Sequence, residues 1–252
     1  MLTQLLDMRD CESPEFSKIY SEICKVANRL QPVWFRPFFK IQGVRRKLEF
    51  DHWSRMWEYP WAVLNADLQA GMRILDIGSG GSSFPLYLAM SGYECYAADP
   101  SLDQGKPKEN WRRRFLSFLG IATTWGFPKV AKKSKRSLPV RYCRDSIQKL
   151  SFPDDFFDRV FCLSVIEHIP QSEWSVCMEQ LSRVVKSGGR LIVTLDMSTP
   201  DANARVYKRL ISTCPLELLG NVEYSVPIPD EDKRLRHPGH TYETIGLVWQ
   251  KK

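Results

Sequence analysis

Short apolar segments that are typical of strands alternate with segments typical of helices along the chain from residue 71. Strands are predicted over 73–77, 94–98, 140–144, 159–163 and 190–195, and helices over 83–90, 109–119, 172–185 and 202–212. Two final strands are predicted over 222–226 and 244–250. Alternation of this kind is typical of a sheet that helices cover on both faces. The sequence therefore predicts an α/β fold with a doubly wound, mostly parallel sheet.

An aromatic-rich segment precedes this alternation. Residues 1–30 show the apolar spacing of a helix, and residues 31–61 hold nine aromatic side chains. We expect residues 1–70 to form an N-terminal helical cap or lid and residues 71–252 to form the main domain. The aromatic segment around Tyr59 is predicted to close over a bound ligand, with Tyr59 in contact with it.

The positive charge of the chain is concentrated in one stretch. The chain has 36 basic and 29 acidic residues, and residues 105–141 contain eleven of the bases but one acid. We predict a basic insertion at about 105–139, of which residues 105–136 contact an anionic partner. Aromatic rings among the bases favour a membrane surface, whereas the charge alone favours nucleic acid. A solvated basic loop and an acidic small substrate are the alternatives.

The cysteines and the apolar runs indicate where the protein resides. The seven cysteines are scattered, with no C-x-x-C pair and no Cys/His cluster at zinc spacing, so we expect reduced thiols and no metal. No apolar run reaches the roughly 18 residues of a membrane-spanning helix, and the first residues do not resemble a secretory signal. We therefore expect a cytoplasmic protein, with a peripheral position at a membrane surface as the alternative.

Acidic residues follow the first three predicted strands, at the sheet edge where α/β proteins bind their ligands. The first strand runs into a glycine turn that begins at Asp76, and the second ends at Asp99, 23 residues later. A carboxylate at this spacing can accept hydrogen bonds from both hydroxyls of a ribose. The third strand ends at Asp145, whose carboxylate can accept a hydrogen bond from an exocyclic amine such as that of adenine. The pattern indicates a nucleoside cofactor.

Four segments together resemble the successive motifs of the class I S-adenosylmethionine-dependent methyltransferases: ILDIGSGGS (74–82), YAADP (96–100), RDSIQKLSFPDDFFDRVFCLSVIEHI (144–169) and LSRVVKSGGRLIVT (181–194). The resemblance covers about residues 70–200 and implies a Rossmann-like sheet with S-adenosylmethionine as the cofactor. It also implies roles for individual residues. Those of the glycine turn would lie beside the methionine part, Asp99 would bind the ribose, Asp145 and Ser146 would bind adenine, and Ser164 would border the transferred methyl. The residues of the turn that we expect to bind are Asp76, Gly78, Ser79 and Gly80.

The resemblance implies methyl transfer to an acceptor, most simply an oxygen or nitrogen atom of a small molecule. Two further hypotheses are a methyltransferase that acts on RNA or at a membrane surface through the basic segment, and a methyltransferase-like module that binds without catalysis. A nicotinamide-dependent dehydrogenase is a third, but Ser83 fits its glycine pattern poorly.

A catalytic base is needed only if the acceptor must lose a proton, because the sulfonium methyl is already electrophilic. His168, just past the fourth strand, and His52, in the aromatic segment, are the two catalytic residues that we predict. The alternative for His168 is a structural role. His237 and His240 flank a turn between the last two predicted strands and would border the acceptor site or lie in solvent.

Overall fold

The structure is a computed structural model that describes residues 3–30, 54–80, 82–101, 139–197, 200–222, 235–237 and 240–252. Within these residues, nine strands form one mixed sheet. The strands are β1 (Gln4–Leu5), β2 (Arg73–Ile77), β3 (Glu94–Ala98), β4 (Val140–Cys143), β5 (Phe157–Leu163), β6 (Val185–Met197), β7 (Glu217–Leu218), β8 (Leu235–His237) and β9 (His240–Gln250). The α-helices are α1 (Pro14–Leu30), α2 (Arg55–Asn65), α3 (Phe84–Met90), α4 (Trp174–Val184) and α5 (Pro200–Thr213).

The order of the strands confirms a doubly wound α/β sheet. The path is β1-β9-β6-β5-β2-β3-β4, and β2 to β6 are mutually parallel. Strand β9 is antiparallel to β6 and also pairs with the three short strands β1, β7 and β8. Strands β3 and β4 lie on one side of β2, whereas the next strand in the chain, β5, lies on the other side. The strand order therefore reverses at β2. In sheets of this kind, ligands bind in the crevice at that reversal.

Helices cover both faces of the sheet, as the sequence predicts. Alternate residues of a strand point to opposite faces, so Leu75 packs with α4 and α5 on one side and Ile74 with α1 to α3 on the other. Trp174 is among the largest buried side chains of the first core, and Trp57 and Trp61 are among those of the second. Two apolar layers therefore hold the sheet between them.

Helix α2 lies directly against the sheet. A Cβ atom at Gly246 of β9 would overlap the Trp61 ring, so the close contact requires glycine there. Pro60 lies inside α2 and has no backbone N–H to donate to the Met56 carbonyl. The Cys11 thiol lies 3.9 Å from that carbonyl oxygen. Helices α1 and α2 thus share a core with the main sheet. Residues 31–53 of the predicted cap lie outside the described residues, and the division at residue 70 stays a prediction.

Some boundaries differ from those predicted. Strand β6 begins at Val185, directly after α4, and so includes the Ser187-Gly188-Gly189 segment, which lies between the helix predicted over 172–185 and the strand predicted over 190–195. Gly188 has a φ of +74°, and the pairing of β5 with β6 shifts register between Phe157 and Arg159. The short strands β1, β7 and β8 were not predicted. His237 of β8 and His240 of β9 pair with each other, and the place of these histidines beside an acceptor stays a prediction.

Several predictions fall on residues that the structure does not describe. These are the helix over 109–119, most of the strand over 222–226, and residues 102–138, which hold nearly all of the basic insertion. Among the described residues, no helix combines the length and the apolar character needed to cross a bilayer.

Candidate functional site

The turn after β2 brings the backbone close to the end of β5. Gly78 and Gly80 have positive φ angles of +71° and +50°, a conformation that glycine adopts without strain. The Gly78 N–H donates to the Ala98 carbonyl at 2.7 Å, which ties the turn to β3. A Cβ atom at Gly78 would overlap the Val165 side chain. The turn can therefore pack this closely only with glycine at position 78.

Asp99 at the end of β3 joins the glycine turn, as the sequence predicts. Its Oδ2 atom accepts a hydrogen bond from the Gly80 N–H at 2.9 Å. Its Oδ1 atom accepts from the backbone N–H and the hydroxyl of Ser101, at 2.7 and 2.5 Å. A carboxylate oxygen can accept more than one hydrogen bond. Asp99 is therefore held in place and keeps acceptor capacity for a ligand.

Asp145 and Ser146 follow β4 on the same sheet edge. The Asp145 Oδ2 atom accepts from the Ser151 N–H at 2.7 Å and from its hydroxyl at 2.6 Å. Ser146 forms an isolated β-bridge with Lys149. These contacts close a compact turn beside Asp99, whose own N–H donates to the Cys143 carbonyl at 3.2 Å.

Asp76 and Ser79 supply polar groups that a ligand could use. Asp76 is 4% exposed. Its burial raises the pKa of the carboxyl to about 8; Arg55 opposes the rise and Asp99 adds to it. Ser79 and Ser83 are buried, and their hydroxyl oxygens have no hydrogen-bond partner in the described part of the chain. Unsatisfied buried hydroxyls beside an open glycine turn fit a polar ligand such as S-adenosylmethionine.

A buried polar cluster lies next to this turn, at the ends of β5, β6 and β9. It is centred on Glu58 of α2, which is fully buried. Glu58 Oε2 accepts hydrogen bonds from Ser54 at 2.9 Å and from Arg55 at 2.5 Å. Glu58 Oε1 accepts from Thr194 at 2.5 Å and also from Ser164. We call this the Glu58 cluster, and its members are Ser54, Arg55, Glu58, Ser164, Glu167, Thr194, Asp196 and Thr244.

Two further acids complete the Glu58 cluster. The Asp196 Oδ1 atom accepts a hydrogen bond from the Thr244 hydroxyl at 2.5 Å, and Oδ2 lies 3.2 Å from the Ser164 hydroxyl. The Asp196 N–H donates to Glu167 Oε1 at 3.2 Å. The Glu167 Oε2 atom is enclosed and has no hydrogen-bond partner among the described residues. Three carboxyls and one guanidinium therefore share a small volume.

The pKa values in the cluster separate into two groups. Burial alone would raise the pKa of Glu58, but the Arg55 charge and the hydrogen bonds from Ser164, Thr194 and Ser54 hold it below its usual range. Burial raises the pKa of Glu167 to about 8 and that of Asp196 to about 7, and repulsion between acids adds to both. Glu58 is thus the ionised partner of Arg55, whereas the other two acids ionise near neutral pH.

Ser164 connects the Glu58 cluster to the glycine turn, because the next residue, Val165, packs against Gly78. It is the residue after β5 and has a φ of +50°, which is unusual for a residue with a side chain. Its backbone N–H lies 3.1 Å from both the hydroxyl and the carbonyl oxygen of Thr194, which holds this conformation. Strained residues that are held by several contacts concentrate at functional sites.

The remaining predicted residues are placed differently. Tyr59 is buried, its ring stacks on Phe84 with centroids 4.7 Å apart, and its hydroxyl hydrogen-bonds with Ser82. His168 is exposed, in a single 3-10 turn after β5. His52 and residues 105–136 lie outside the described residues, and the functional roles of all these residues stay predictions. No group of three or more possible metal ligands occurs in the described ranges.

The Glu58 cluster was missed in the sequence. Asp196 carries a signal that could have been used, because it follows the apolar run LIVTL just as Asp99 follows its own strand. Glu58 carries no such signal, since it lies among aromatic residues in a segment with no sheet pattern.

The chain is similar in sequence to known methyltransferases. Residues 75–193 match a family model described as a methyltransferase domain. The uncharacterized methyltransferase YcgJ of Bacillus subtilis is 23% identical over 192 residues, which cover 75% of this chain and 57% of that protein. Its crystal structure, at 16% identity, covers 77% of this chain and 98% of that one with a TM-score of 0.47.

Two further relatives have more specific names. The ubiquinone biosynthesis O-methyltransferase of Rhizobium etli is 31% identical over 134 residues, which cover 53% of this chain and 45% of that protein. The demethylmenaquinone methyltransferase of a Mycobacterium species is 31% identical over 147 residues, covering 56% of this chain and 49% of that protein. The alignments thus span about half the length of the curated relatives. The family match covers just under half of the chain, and together with the motifs around β2 to β6 it makes the chain similar to the class I S-adenosylmethionine-dependent methyltransferases.

Proposed function

We propose that the protein is an enzyme that transfers a methyl group from S-adenosylmethionine to an oxygen or nitrogen atom of a small molecule. The observation that carries this proposal is the contact between Asp99 and Gly80 at the reversal of strand order. Asp99 is a carboxylate of the kind that binds a ribose, and this contact holds it 2.9 Å from the Gly80 N–H. The Ser79 hydroxyl of the same turn has no hydrogen-bond partner in the described part of the chain.

Each part of the cofactor has residues that would hold it. Asp99 would accept hydrogen bonds from the ribose hydroxyls, and the turn at Asp145 and Ser146 would contact adenine. The methionine part would lie along Gly78 to Gly80, with its ammonium group near Asp76. When bound, the cofactor supplies an electrophilic methyl group, so the protein's main task is to hold the acceptor in line with it.

The acceptor side is formed by the ends of β5 and β6. Ser164 and the partly exposed Asp196 lie there, and the exposed His168 follows four residues after Ser164. His168 is our proposed proton acceptor for a hydroxyl or amine that must be deprotonated. The relative named for ubiquinone biosynthesis is an O-methyltransferase, so hydroxylated ring compounds are the first acceptors to test.

The hypothesis of an RNA or membrane acceptor depends on the charge of residues 105–136. The eleven basic residues between residues 105 and 141 support this hypothesis, and this support comes from the sequence alone. Binding to anionic liposomes and to tRNA across a salt series would distinguish this hypothesis from transfer to a small molecule. Binding through phosphate charge should weaken steeply with salt.

A transfer assay tests the proposed function. The full chain is incubated with S-adenosylmethionine that carries a labelled methyl group and with a small-molecule extract, and the labelled product is identified by mass spectrometry. We expect a labelled product that Asp99→Asn greatly reduces. Asp154→Asn is the matched control, because Asp154 is an exposed partner of Arg183 away from the site. Cofactor binding without any labelled product would instead support the non-catalytic module.

A further inference from the structure

We propose that Asp196 is the residue that makes the site prefer the cationic cofactor S-adenosylmethionine over its neutral product S-adenosylhomocysteine. This inference rests on the proposed function, because it concerns the same cofactor site. The cofactor and its product differ by one methyl group and one positive charge on sulfur. A residue that senses that charge would favour binding of the cofactor and release of the product.

Asp196 lies beside Ser164, at the end of β6. Its carboxyl lies at the end of β6, with Oδ2 3.2 Å from the hydroxyl of Ser164. Ser164 is the residue that would border the transferred methyl group. The Thr244 hydroxyl, 2.5 Å from Oδ1, fixes the carboxyl from the β9 side. If Ser164 borders the transferred methyl group, Asp196 is one side chain away from where the sulfonium would lie.

Charged residues face Asp196 from α2 and from the turn after β5. Glu58 and Arg55 of α2 face it, and they form an ion pair at 2.5 Å, so their charges largely cancel. Glu167, in the turn after β5, faces it from the third side and accepts the Asp196 N–H. Thr244 of β9 does not titrate. The described residues around Asp196 therefore leave an excess of negative charge when both remaining acids ionise.

The hydrogen bonds around Asp196 favour its protonated form in the free protein. The Ser164 hydroxyl has one proton and donates it to the ionised Glu58. Ser164 is also placed to donate to Asp196 Oδ2 at 3.2 Å, but its single proton cannot serve two carboxylates fully, so an ionised Asp196 is poorly satisfied in the free protein. The pKa of Asp196, raised by burial to about 7, agrees with this arrangement. A sulfonium cation nearby would stabilise the ionised carboxylate, and the proton would leave to solvent.

Calorimetric titration of the full chain with each of the two probes tests this proposal. The quantity measured is the ratio of the S-adenosylhomocysteine Kd to the S-adenosylmethionine Kd. We expect Asp196→Asn to lower this ratio by about tenfold, the size of one nearby charge at a partly buried site. Asp154→Asn, the exposed control, should leave it unchanged. The ratio is informative because Asp76 and the other shared contacts affect both ligands equally.

A second measurement needs no variant. In buffers of different ionisation enthalpy at about pH 7, binding of S-adenosylmethionine should release more protons than binding of S-adenosylhomocysteine. The Kd ratio of the wild-type protein should also be larger at pH 8 than at pH 6. Equal proton release together with a ratio that ignores pH would overturn the proposal, as would an unchanged ratio in a folded Asp196→Asn variant. If neither ligand binds, the proposed function itself is wrong.

Discussion

Replacing Glu58 tests whether a buried charge fastens α2 to the edge of the sheet. Glu58 is fully buried and accepts hydrogen bonds from Ser54, Arg55, Ser164 and Thr194. We expect Glu58→Ala to lower the free energy of unfolding by about 3–5 kcal/mol, the cost of removing one partner of a buried ion pair. The loss is large because the Arg55 guanidinium would stay buried without its counter-charge and three hydroxyls, those of Ser54, Ser164 and Thr194, would lose their acceptor.

A second substitution separates the charge from the shape. Glu58→Gln keeps the volume and one acceptor oxygen but removes the charge, so we expect a smaller loss of about 1.5–3 kcal/mol. Because the pKa of Glu58 is lowered in the folded protein, its stabilising contribution is present above the usual value of 4.5 and is lost as pH falls through the folded value. The difference in stability between the wild type and Glu58→Gln should therefore shrink on acidification.

The assay is urea unfolding followed by circular dichroism, with midpoints compared at equal slopes. Glu217→Ala is the control, because Glu217 is an exposed partner of Lys252 at 3.3 Å and surface substitutions usually change stability by less than about 0.5 kcal/mol. A loss below about 1 kcal/mol for Glu58→Ala would refute the reasoning, because it would mean that Arg55 is readily solvated without Glu58.

Three further predictions concern the glycine turn and the carboxylates of Asp76 and Asp99. Asp99→Asn should weaken S-adenosylmethionine binding about ten- to a hundredfold in calorimetry, because the ribose hydroxyls lose a charged acceptor, and equal affinity would remove this assignment. Gly78→Ala should lower stability by about 1–3 kcal/mol more than Gly71→Ala in thermal unfolding, since both have positive φ but only Gly78 would overlap a neighbour; equal losses would contradict this. The raised pKa of Asp76, about 8, means that binding of an ammonium group expels a proton. Affinity for both the cofactor and its product should therefore rise by up to about tenfold per pH unit towards pH 8 and then level off, and a pH-independent Kd would contradict this role for Asp76.

The main sheet was predictable because its signals are local. Strands β2 and β3 lie at the predicted residues, since buried parallel strands read as short apolar runs that end in a polar turn. The short strands β1, β7 and β8 could not be predicted in the same way. Two or three residues carry no periodicity, and they form strands because the long β9 offers a free edge to pair with.

The cofactor half of the candidate site was also accessible from the sequence, whereas of the acceptor half the sequence predicts Ser164 and His168 but not Glu58, Arg55 or Asp196. Asp76, Asp99 and Asp145 lie in the last residues of a strand or just after it, so one rule of α/β sheets brings them together. Glu58 and Arg55 reach the same edge from a helix that precedes the sheet in the chain. Their role depends on tertiary contacts at the end of β5. Glu58 accepts a hydrogen bond from Ser164, 106 residues later in the sequence, and Arg55 donates one to the Leu163 carbonyl.

Hydrogen–deuterium exchange of the full chain with and without S-adenosylmethionine tests the central claim most directly, because it locates the cofactor. We predict protection in three separate peptides that contain Asp76 to Gly80, Asp99 and Ser101, and Asp145 and Ser146, with no such protection by a nicotinamide dinucleotide. Asp99→Asn should reduce the protection at the same cofactor concentration, and Asp154→Asn should not. Absence of protection at a saturating cofactor concentration, or protection confined to other parts of the chain, would contradict the placement of the site at the ends of β2, β3 and β4.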